Sequence, residues 1–355
     1  MNNLLPFLLG SIALLWIGQA IYRLWREWTY SLQGKTILLT GGSRGLGLVM
    51  ARQLTQAGAR LAICARDRDE LLRATTELEQ QGGEVLAIPC DLGDRLQVEQ
   101  AIQQARDRFG KIDILINNAG AIQVGPIEEM NLEDYQEAMN IHFWAPLYTT
   151  LAVLPEMRQR QAGRIVNISS IGGKVSVPHL SPYCASKFAL TGLSEGMRAE
   201  LAKDGVKVTT VCPGLLRTGS QHNALFKGQH RQEYAWFSIS DSLPFVSLSA
   251  ERAARQIIAA LRRGDAEIIL SLPAQVATRF HGLFPGITAN LLSWVNRLLP
   301  APGGIGTNRA LGKDSHSAWS PSWLTVLSDR AAQQNNQFAQ EAEGDRAEMV
   351  APKSQ

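Results

Sequence analysis

The chain has 355 residues, of which 45% are hydrophobic and 19% are charged. This composition can bury one large core or two small ones, and it excludes disordered, collagen-like and multi-span membrane proteins. The formal net charge of +3 is too small for a dedicated nucleic-acid binder, so no nucleic-acid partner is expected. The four cysteines lie far apart without a CxxC pair, which argues against a zinc site or disulfides and favours a reducing compartment.

The N-terminal segment is almost continuously apolar from Leu4 to Tyr22. At 1.5 Å per residue such a helix spans roughly 28 Å, close to the hydrocarbon thickness of a bilayer. A cleaved signal peptide, and with it an exported soluble protein, is the competing interpretation, but no basic residue precedes the run and no small-x-small site follows it. The sequence therefore predicts a single-pass membrane anchor within residues 1–30. Arg23 and Arg26 on its C-terminal flank leave the remaining chain on the cytoplasmic side.

Residues 31–272 alternate short aliphatic runs with helical stretches, a pattern that predicts a parallel sheet with helices on both faces. The class is α/β, doubly wound. The predicted strands are Thr36–Thr40, Arg60–Ala65, Glu84–Pro89, Ile112–Asn117, Gly163–Ser169, Val206–Cys212 and Ala266–Leu270.

A C-terminal extension follows at residues 273–332. Ala274–Leu299 is apolar and is interrupted by Pro285 and Gly286, which predicts two short amphipathic helices. These helices either touch the membrane or form a lid on the core. Residues 333–355 are polar and are predicted to be a disordered tail.

A glycine-rich turn follows the first predicted strand at Thr40–Gly47 and precedes a predicted helix. Gly41, Gly45 and Gly47 allow a tight turn, close approach to a pyrophosphate and packing of the helix on the strand. Glycine in such a turn can also serve backbone geometry alone. The strand before and the helix after favour dinucleotide binding.

With this turn the sequence resembles the short-chain dehydrogenase/reductase family, whose TGxxxGxG motif matches Thr40–Gly47. The resemblance continues through Asn117–Gly120 as NNAG, through Ser170 and the YxxxK pair, and through Pro213–Thr218 as PGxxxT. It covers about Gln33 to Leu272 and implies a Rossmann-type fold that binds a nicotinamide cofactor. The branch it suggests is that of hydroxysteroid, retinol and 3-ketoacyl reductases.

The resemblance implies an NADP(H) cofactor, because Arg44 and Arg66 suit a 2′-phosphate where NAD-preferring members place an acidic residue. Ala65 takes that place here, although a register shift of two residues would bring Asp67 there and reverse the preference. Asp91 resembles the adenine contact of the family, with an ordinary turn aspartate as the alternative. The implied cofactor-binding residues are Gly41, Ser43, Arg44, Gly45, Leu46, Gly47, Arg66, Asp91, Leu92, Asn118, Ala119, Gly120, Tyr183, Lys187, Pro213, Gly214 and Thr218.

Tyr183 and Lys187 are four residues apart on one predicted helix, so both project from one face. An ammonium beside a phenol lowers the pKa of the phenol toward working pH, as a proton donor to a carbonyl requires. Ser170, with Ser169 as the adjacent alternative, is predicted to bind the substrate oxygen. By resemblance, Asn140 holds a water in a proton relay to Lys187.

The implied reaction is hydride transfer between nicotinamide C4 and a carbonyl carbon, with Tyr183 as the acid or base. No metal is expected, and His142 and His179 are interpreted as packing or rim residues. By resemblance, Leu215–Leu248 and Val175–Ser181 form the wall and lid over the nicotinamide. The lid carries an apolar and aromatic set that favours a lipophilic substrate, although ordinary core packing explains it equally well. That set is Leu225, Phe226, Tyr234, Trp236, Phe237, Phe245 and Val246.

Candidate substrates are a long-chain ketone, a 3-ketoacyl group, a sterol and a retinoid, and the sequence does not separate them. The expected partners are therefore this lipophilic small molecule and the lipid bilayer, and a homo-oligomer is left open. A non-catalytic dinucleotide sensor or membrane scaffold on the same fold is the alternative function.

Overall fold

A computed structural model describes residues 18–338, so most of the predicted membrane anchor lies outside the described residues. Residues 18–29 are helical and form α1. Across residues 18–338, no helix is both long enough and apolar enough to cross a membrane.

Seven parallel strands form the central sheet. The strands of the protein are β1 (Thr36–Thr40), β2 (Arg60–Ala65), β3 (Val85–Pro89), β4 (Ile114–Asn117), β5 (Gln123–Val124), β6 (Gly163–Ile168), β7 (Val206–Pro213), β8 (Leu216–Arg217), β9 (Leu225–Phe226), β10 (Leu248–Ser249), β11 (Glu267–Leu270) and β12 (Ala310–Leu311). The central order is β11-β7-β6-β4-β1-β2-β3. This confirms the predicted doubly wound fold, and each predicted strand lies within two residues of the observed one.

Helices cover both faces of this sheet. They are α2 (Gly45–Gln56), α3 (Arg68–Gln80), α4 (Arg95–Phe109), α5 (Leu132–Met139), α6 (Ala145–Gln159), α7 (Ser181–Leu201), α8 (His230–Ser242), α9 (Ala250–Arg263), α10 (Leu272–Leu283), α11 (Pro285–Asn296) and α12 (Val326–Gln334). A π-helical turn, Asn140–Trp144, joins α5 to α6. The two helices predicted within Ala274–Leu299 are confirmed as α10 and α11.

Alternating residues of the strands build two separate cores, because successive side chains of a strand point to opposite faces. In β1, Ile37 and Leu39 pack with α2 and α9, whereas Leu38 packs with α4 and α6. The strands are added outward from β1 through β2 to β3, and the chain then crosses to β4 on the other side of β1. The order of the strands therefore reverses between β1 and β4. The carboxyl ends of strands at such a switch point form the ligand crevice of open α/β sheets.

The C-terminal extension is joined to the domain by a strand pair and by buried charges. β12 pairs antiparallel with β9, so that Ala310 lies opposite Phe226. Lys227, at the end of β9, is buried and its Nζ lies 2.5 Å from Asp134 of α5, which also accepts from Arg309 at 2.9 Å. Each buried charge therefore has a partner of opposite sign, as burial demands.

Residues 333–338 differ from the disordered tail expected there. Asn335 is fully buried and Gln337 is 5% exposed. Polar residues lack the periodicity that predicts an element, yet these side chains find hydrogen-bond partners in the domain. The remainder of the predicted tail lies outside the described residues.

Candidate active site

The glycine turn and the NNAG segment are hydrogen-bonded to each other at the carboxyl ends of β1 and β4. Thr40 Oγ1 accepts from the backbone N–H groups of Asn118 and Ala119 at 2.9 and 3.1 Å. Asn118 Nδ2 donates to the carbonyl of Gly41 at 2.9 Å. A Cβ on Gly41, whose φ is +64°, would lie 2.8 Å from the Ala119 Cα. Glycine is therefore required where the two segments cross.

The N-terminus of α2 fits an anionic group. Arg44 is its N-cap and supplies no side-chain cap, while Gly45 has a φ of +57°. A Cβ on Gly47 would overlap the carbonyl of Gly41 and lie 2.7 Å from Asn118 Nδ2. Backbone N–H groups without a side-chain cap and a small-residue surface are what a dinucleotide pyrophosphate needs. The residues present therefore fit a dinucleotide, and Leu46 lies in the same first turn.

Arg44 is engaged by an acidic residue that the sequence reasoning missed. Its Nη1 donates to Glu70 Oε1 at 2.7 Å, and Ser43 Oγ donates to the other Glu70 oxygen at 3.3 Å. Glu70 stands three residues after Asp67, the N-cap of α3, whose side chain accepts the Glu70 N–H at 2.8 Å. An aspartate followed three residues later by a glutamate is a helix-start signal that placed Glu70 in this first turn.

The second strand ends where the sequence predicts, at Ala65. Asp67 therefore lies beyond the strand and caps α3. The register shift that would place it at the strand tip does not occur. Arg66 is exposed and makes no hydrogen bond or ion pair within residues 18–338. One guanidinium is thus available beside the turn, while the Arg44 guanidinium is paired.

The remaining predicted cofactor residues lie along the same edge of the sheet. Asp91 is exposed and accepts the N–H of Gly93 at 3.0 Å, and Leu92 behind it is buried. A Cβ on Gly120 would lie 3.8 Å from Lys187 Nζ. Pro213 ends β7, Gly214 N donates to Leu270 O at 3.2 Å, and Thr218 is 3.9 Å from a Cβ placed on Gly45.

Ser170, rather than Ser169, faces the reactive tyrosine. Ser169 Oγ donates to the Lys187 carbonyl at 3.0 Å and is thereby bound to the backbone of α7. Ser170 Oγ accepts from Gly172 N at 3.0 Å and lies beside the Tyr183 side chain. A Cβ on Gly172 would lie 3.2 Å from the Tyr183 ring and 3.4 Å from Ser170 Oγ, which shows how closely the pair is packed.

The expectation that Lys187 lowers the pKa of Tyr183 is wrong for this structure. Burial raises the pKa of Tyr183 above its ordinary value, and the neighbouring Ser170 hydroxyl only opposes that rise. Lys187 Nζ is 5.7 Å from the Tyr183 ring centroid and donates to Ile168 O at 2.9 Å. Burial also lowers the pKa of Lys187 to about 7, so its charge is only partly present near neutral pH. Desolvation of both groups outweighs their attraction.

His142 supports Tyr183 as a packing residue, in agreement with its interpretation from sequence. Its ring meets the Tyr183 ring edge-on, with centroids 5.3 Å apart. Nε2 accepts the Ala121 N–H at 3.2 Å, so the proton is assigned to Nδ1, which lies 2.8 Å from Ser186 Oγ. Burial and the nearby Lys187 hold the pKa of His142 well below its usual range. The ring is therefore neutral.

Asn140 begins the π-helical turn, and its carbonyl accepts from the N–H of Ala145. Its side chain is exposed and has no hydrogen-bond partner within the described ranges. A wide turn of this kind often marks a functional site in a helix. The relay to Lys187 that the resemblance implies stays a prediction.

The predicted aromatic lid separates into a packed part and an exposed part. Phe226, Tyr234 and Phe237 pack together in a third core with Val124 and Leu180. The expectation that these three rings line a substrate pocket is replaced by core packing, the alternative considered for this set.

The rest of the lid carries one exposed ring and two buried acids. Phe245 is 92% exposed. Glu233 is buried and holds the lid through His179 Nδ1 at 2.8 Å and Trp236 Nε1 at 2.6 Å. Asp241 of α8 is also buried, and burial raises its pKa to about 8. When ionised, its carboxylate adds to the rise in the pKa of Tyr183. Sequence reasoning missed both acids because their burial follows from the packing of α8.

Comparison with known families identifies the class of protein that carries this site. The profile described as short chain dehydrogenase matches residues 35–227, more than half of the chain. The chain therefore belongs to the short-chain dehydrogenase/reductase family, in its reductase-like branch. It is an oxidoreductase of CH-OH/C=O groups, with a fold that binds a nicotinamide dinucleotide.

Individual relatives extend the similarity. A dehydrogenase/reductase SDR family protein 7-like from Anopheles gambiae is 34% identical over 269 residues, 74% of this chain and 82% of that protein. Ketoacyl reductase HetN from Nostoc is 41% identical over 184 residues, 52% of this chain and 64% of that protein. The structure of a gluconate 5-dehydrogenase from Burkholderia cenocepacia with NADP and tartrate has a TM-score of 0.61 at 26% identity, covering 70% and 97% of the two chains.

Proposed function

We propose that this protein is a membrane-associated, NADP(H)-dependent reductase of lipophilic carbonyl compounds. The observation that carries the proposal is the group of half-buried Tyr183 with buried Ser170 and Lys187 at the carboxyl end of β6, directly beside the glycine turn. Bound dinucleotide supplies the hydride in such a site. The chain's own residues then have to place and protonate the substrate oxygen.

Tyr183 is the proton donor. Because burial raises its pKa, the hydroxyl stays protonated at neutral pH and can give its proton to a carbonyl oxygen that is becoming an alkoxide. Ser170 hydrogen-bonds the same oxygen, and Lys187 supplies positive charge below a pH of about 7. At neutral pH Tyr183 is therefore in the protonation state that reduction requires, whereas oxidation requires its phenolate.

The preference for NADP(H) rests on Arg66. The guanidinium is exposed next to the strand tip and no acidic side chain pairs with it among residues 18–338. Guanidinium groups bind phosphate oxygens with several donors at once. Arg44 is paired with the carboxylate of Glu70, so it contributes less than Arg66 to binding of the 2′-phosphate. The solved relative with NADP supports the same preference.

Membrane association is supported by the apolar surface of α10 and α11. The exposed apolar residues there are Leu272, Val276, Phe280, Leu283, Phe284, Ile287, Leu291, Trp294, Val295 and Leu298. Monomeric soluble proteins rarely expose a contiguous patch of this kind. The apolar run Leu4–Tyr22 leads into α1, and Arg23 of α1 borders the same surface cleft as Arg279 of α10. A lipid bilayer is the partner that suits both features.

A lipophilic substrate follows from membrane residence and from the relatives' names. Ketoacyl reductase HetN favours a 3-ketoacyl group among the candidates, with long-chain ketones, sterols and retinoids of similar polarity beside it. Buried Asp241 gives the lid one polar group that could accept a hydrogen bond from such a substrate. The cytoplasmic side is proposed for the catalytic domain, from the arginines that follow the apolar run.

The test is NADPH oxidation by the full-length protein with a panel of 3-ketoacyl thioesters, long-chain ketones, ketosteroids and retinal. Tyr183→Phe should lower kcat at least ~100-fold, the usual contribution of a general acid, and leave NADPH affinity nearly unchanged. Tyr148→Phe on α6, a partly buried tyrosine of the second core, is the matched control and should stay active. A chain that binds NADPH but reduces none of these substrates would indicate the non-catalytic sensor instead.

A further inference from the structure

The segment that follows α12 lies directly against the glycine turn. We call residues 335–338 the C-terminal strap. Gly45 N, in the first turn of α2, donates to the carbonyl of Asn335 at 2.9 Å. Asn336 Nδ2 donates to the carbonyls of Ser43 and Glu70 at 2.9 and 3.0 Å. The strap therefore uses an N–H group of the turn that the fold offers to an anion.

Gln337 connects the strap to the loop after β8. Its Nε2 donates to Thr218 O at 3.2 Å and lies 2.8 Å from the position of a Cβ on Gly45. On the far side, Asn223 Nδ2 donates to both the carbonyl and the Oε1 of Gln337, at 2.9 and 2.8 Å. The Gln337 side chain thus fills the gap between the glycine turn and Thr218.

Side chains outside the crevice hold the strap in this position. Arg52 Nη1 donates to Asn335 Oδ1 at 3.1 Å, and Arg73 Nε donates to Asn336 Oδ1 at 2.9 Å. At the other end, the Phe338 ring packs on His222 with centroids 4.7 Å apart. These contacts come from α2, α3 and the loop after β8, so the strap joins the two sides of the cofactor edge.

We propose that the C-terminal strap is an autoinhibitory segment that competes with the dinucleotide for the N-terminus of α2. The inference rests on the proposed function, because it requires a nicotinamide dinucleotide at this turn. One N–H group cannot donate to Asn335 and to a phosphate at full strength, and Gln337 occupies the space between Gly45 and Thr218. The strap must leave before the phosphates bind.

The chemistry of the strap suits a displaceable occupant. The strap carries three neutral amide side chains, those of Asn335, Asn336 and Gln337. Amides offer hydrogen-bond acceptors to the turn, as a phosphate does, but carry no charge. Hydrogen bonds to a phosphate are roughly twice as strong as neutral ones. A dinucleotide can therefore displace the strap. Its apparent affinity is the intrinsic affinity multiplied by the fraction of the protein in which the strap is released.

Two truncations of the full chain test the proposal. Ending the chain after Gln334 removes the strap, and ending it after Phe338 keeps the strap while removing the residues beyond it. NADPH affinity is measured by isothermal titration calorimetry. We expect Kd at least tenfold lower for the chain ending at Gln334 than for the chain ending at Phe338. Equal affinities, or weaker binding without the strap, would overturn the proposal.

A point variant covers the case in which truncation impairs folding. Asn336→Ala combined with Gln337→Ala removes the side-chain bonds to Ser43, Glu70 and Thr218 and should also tighten NADPH binding, whereas Arg330→Ala on the exposed side of α12 should not. In a second readout, NADPH should raise the hydrogen exchange of the strap amides, and protection of those amides would refute the competition. If no variant binds NADPH or NADH, the proposed function itself fails. If all variants bind NADPH equally, only the competition by the strap fails.

Discussion

Lys187→Met is the substitution whose effect on stability follows most directly from the structure. Lys187 is 4% exposed, and burial lowers its pKa from 10.5 to about 7. Between these two pH values the unfolded chain holds a proton on this lysine and the folded chain does not. The free energy of unfolding therefore rises with pH across that window, and the destabilisation is largest below pH 7.

The size of the effect follows from that shift. Each pH unit within the window changes the free energy of unfolding by about 1.36 kcal/mol. Lowering the pH from about 9.5 to about 7.5 should therefore cost the wild type about 2–3 kcal/mol through Lys187 alone. Methionine carries no charge and avoids this penalty. The substitution also leaves the Ile168 carbonyl without its donor, a loss of about 1–3 kcal/mol that does not depend on pH.

The assay is urea denaturation of the wild type and of Lys187→Met at several pH values in one detergent. The difference in unfolding free energy should shift by about 2–3 kcal/mol in favour of Lys187→Met as the pH falls from about 9.5 to about 7.5. Lys203→Met, at an exposed lysine after α7, is the control and should show no such shift. A difference that stays constant with pH would refute the reasoning, because it would mean that Lys187 stays protonated in the folded protein.

Three further predictions concern the cofactor and the membrane. Arg66→Ala should lower the ratio of kcat/KM for NADPH to that for NADH at least tenfold, since a charged hydrogen bond is worth about 1.5–3 kcal/mol, and an unchanged ratio would exclude Arg66 as the phosphate ligand. Gly47→Ala should abolish NADPH binding in calorimetry and lower the Tm, because its Cβ would overlap the Gly41 carbonyl; normal binding would show that the turn can widen. The full-length chain should stay in the membrane pellet after a high-salt wash, and release by salt would indicate charge attraction in place of apolar insertion.

Local patterns determined the sheet and the positions of the site residues. Strand runs such as Thr36–Thr40 and the glycines of the turn can be identified in the sequence, because residue period and backbone freedom are properties of neighbouring residues. The spacing of Tyr183 and Lys187 likewise fixes them on one face of α7. Resemblance to the family added Ser170, which the structure places against Tyr183.

Only the tertiary structure decided the electrostatics of that site and what lies over the turn. The direction of the Tyr183 pKa shift depends on how much solvent the packed domain removes, and spacing to Lys187 cannot supply that quantity. Glu70 pairs with Arg44 because α3 packs beside α2. Asn336 reaches Ser43 across 293 positions of sequence. Polar contacts of such long range follow no period, so a segment whose composition predicts disorder becomes ordered through partners that the fold alone brings within reach.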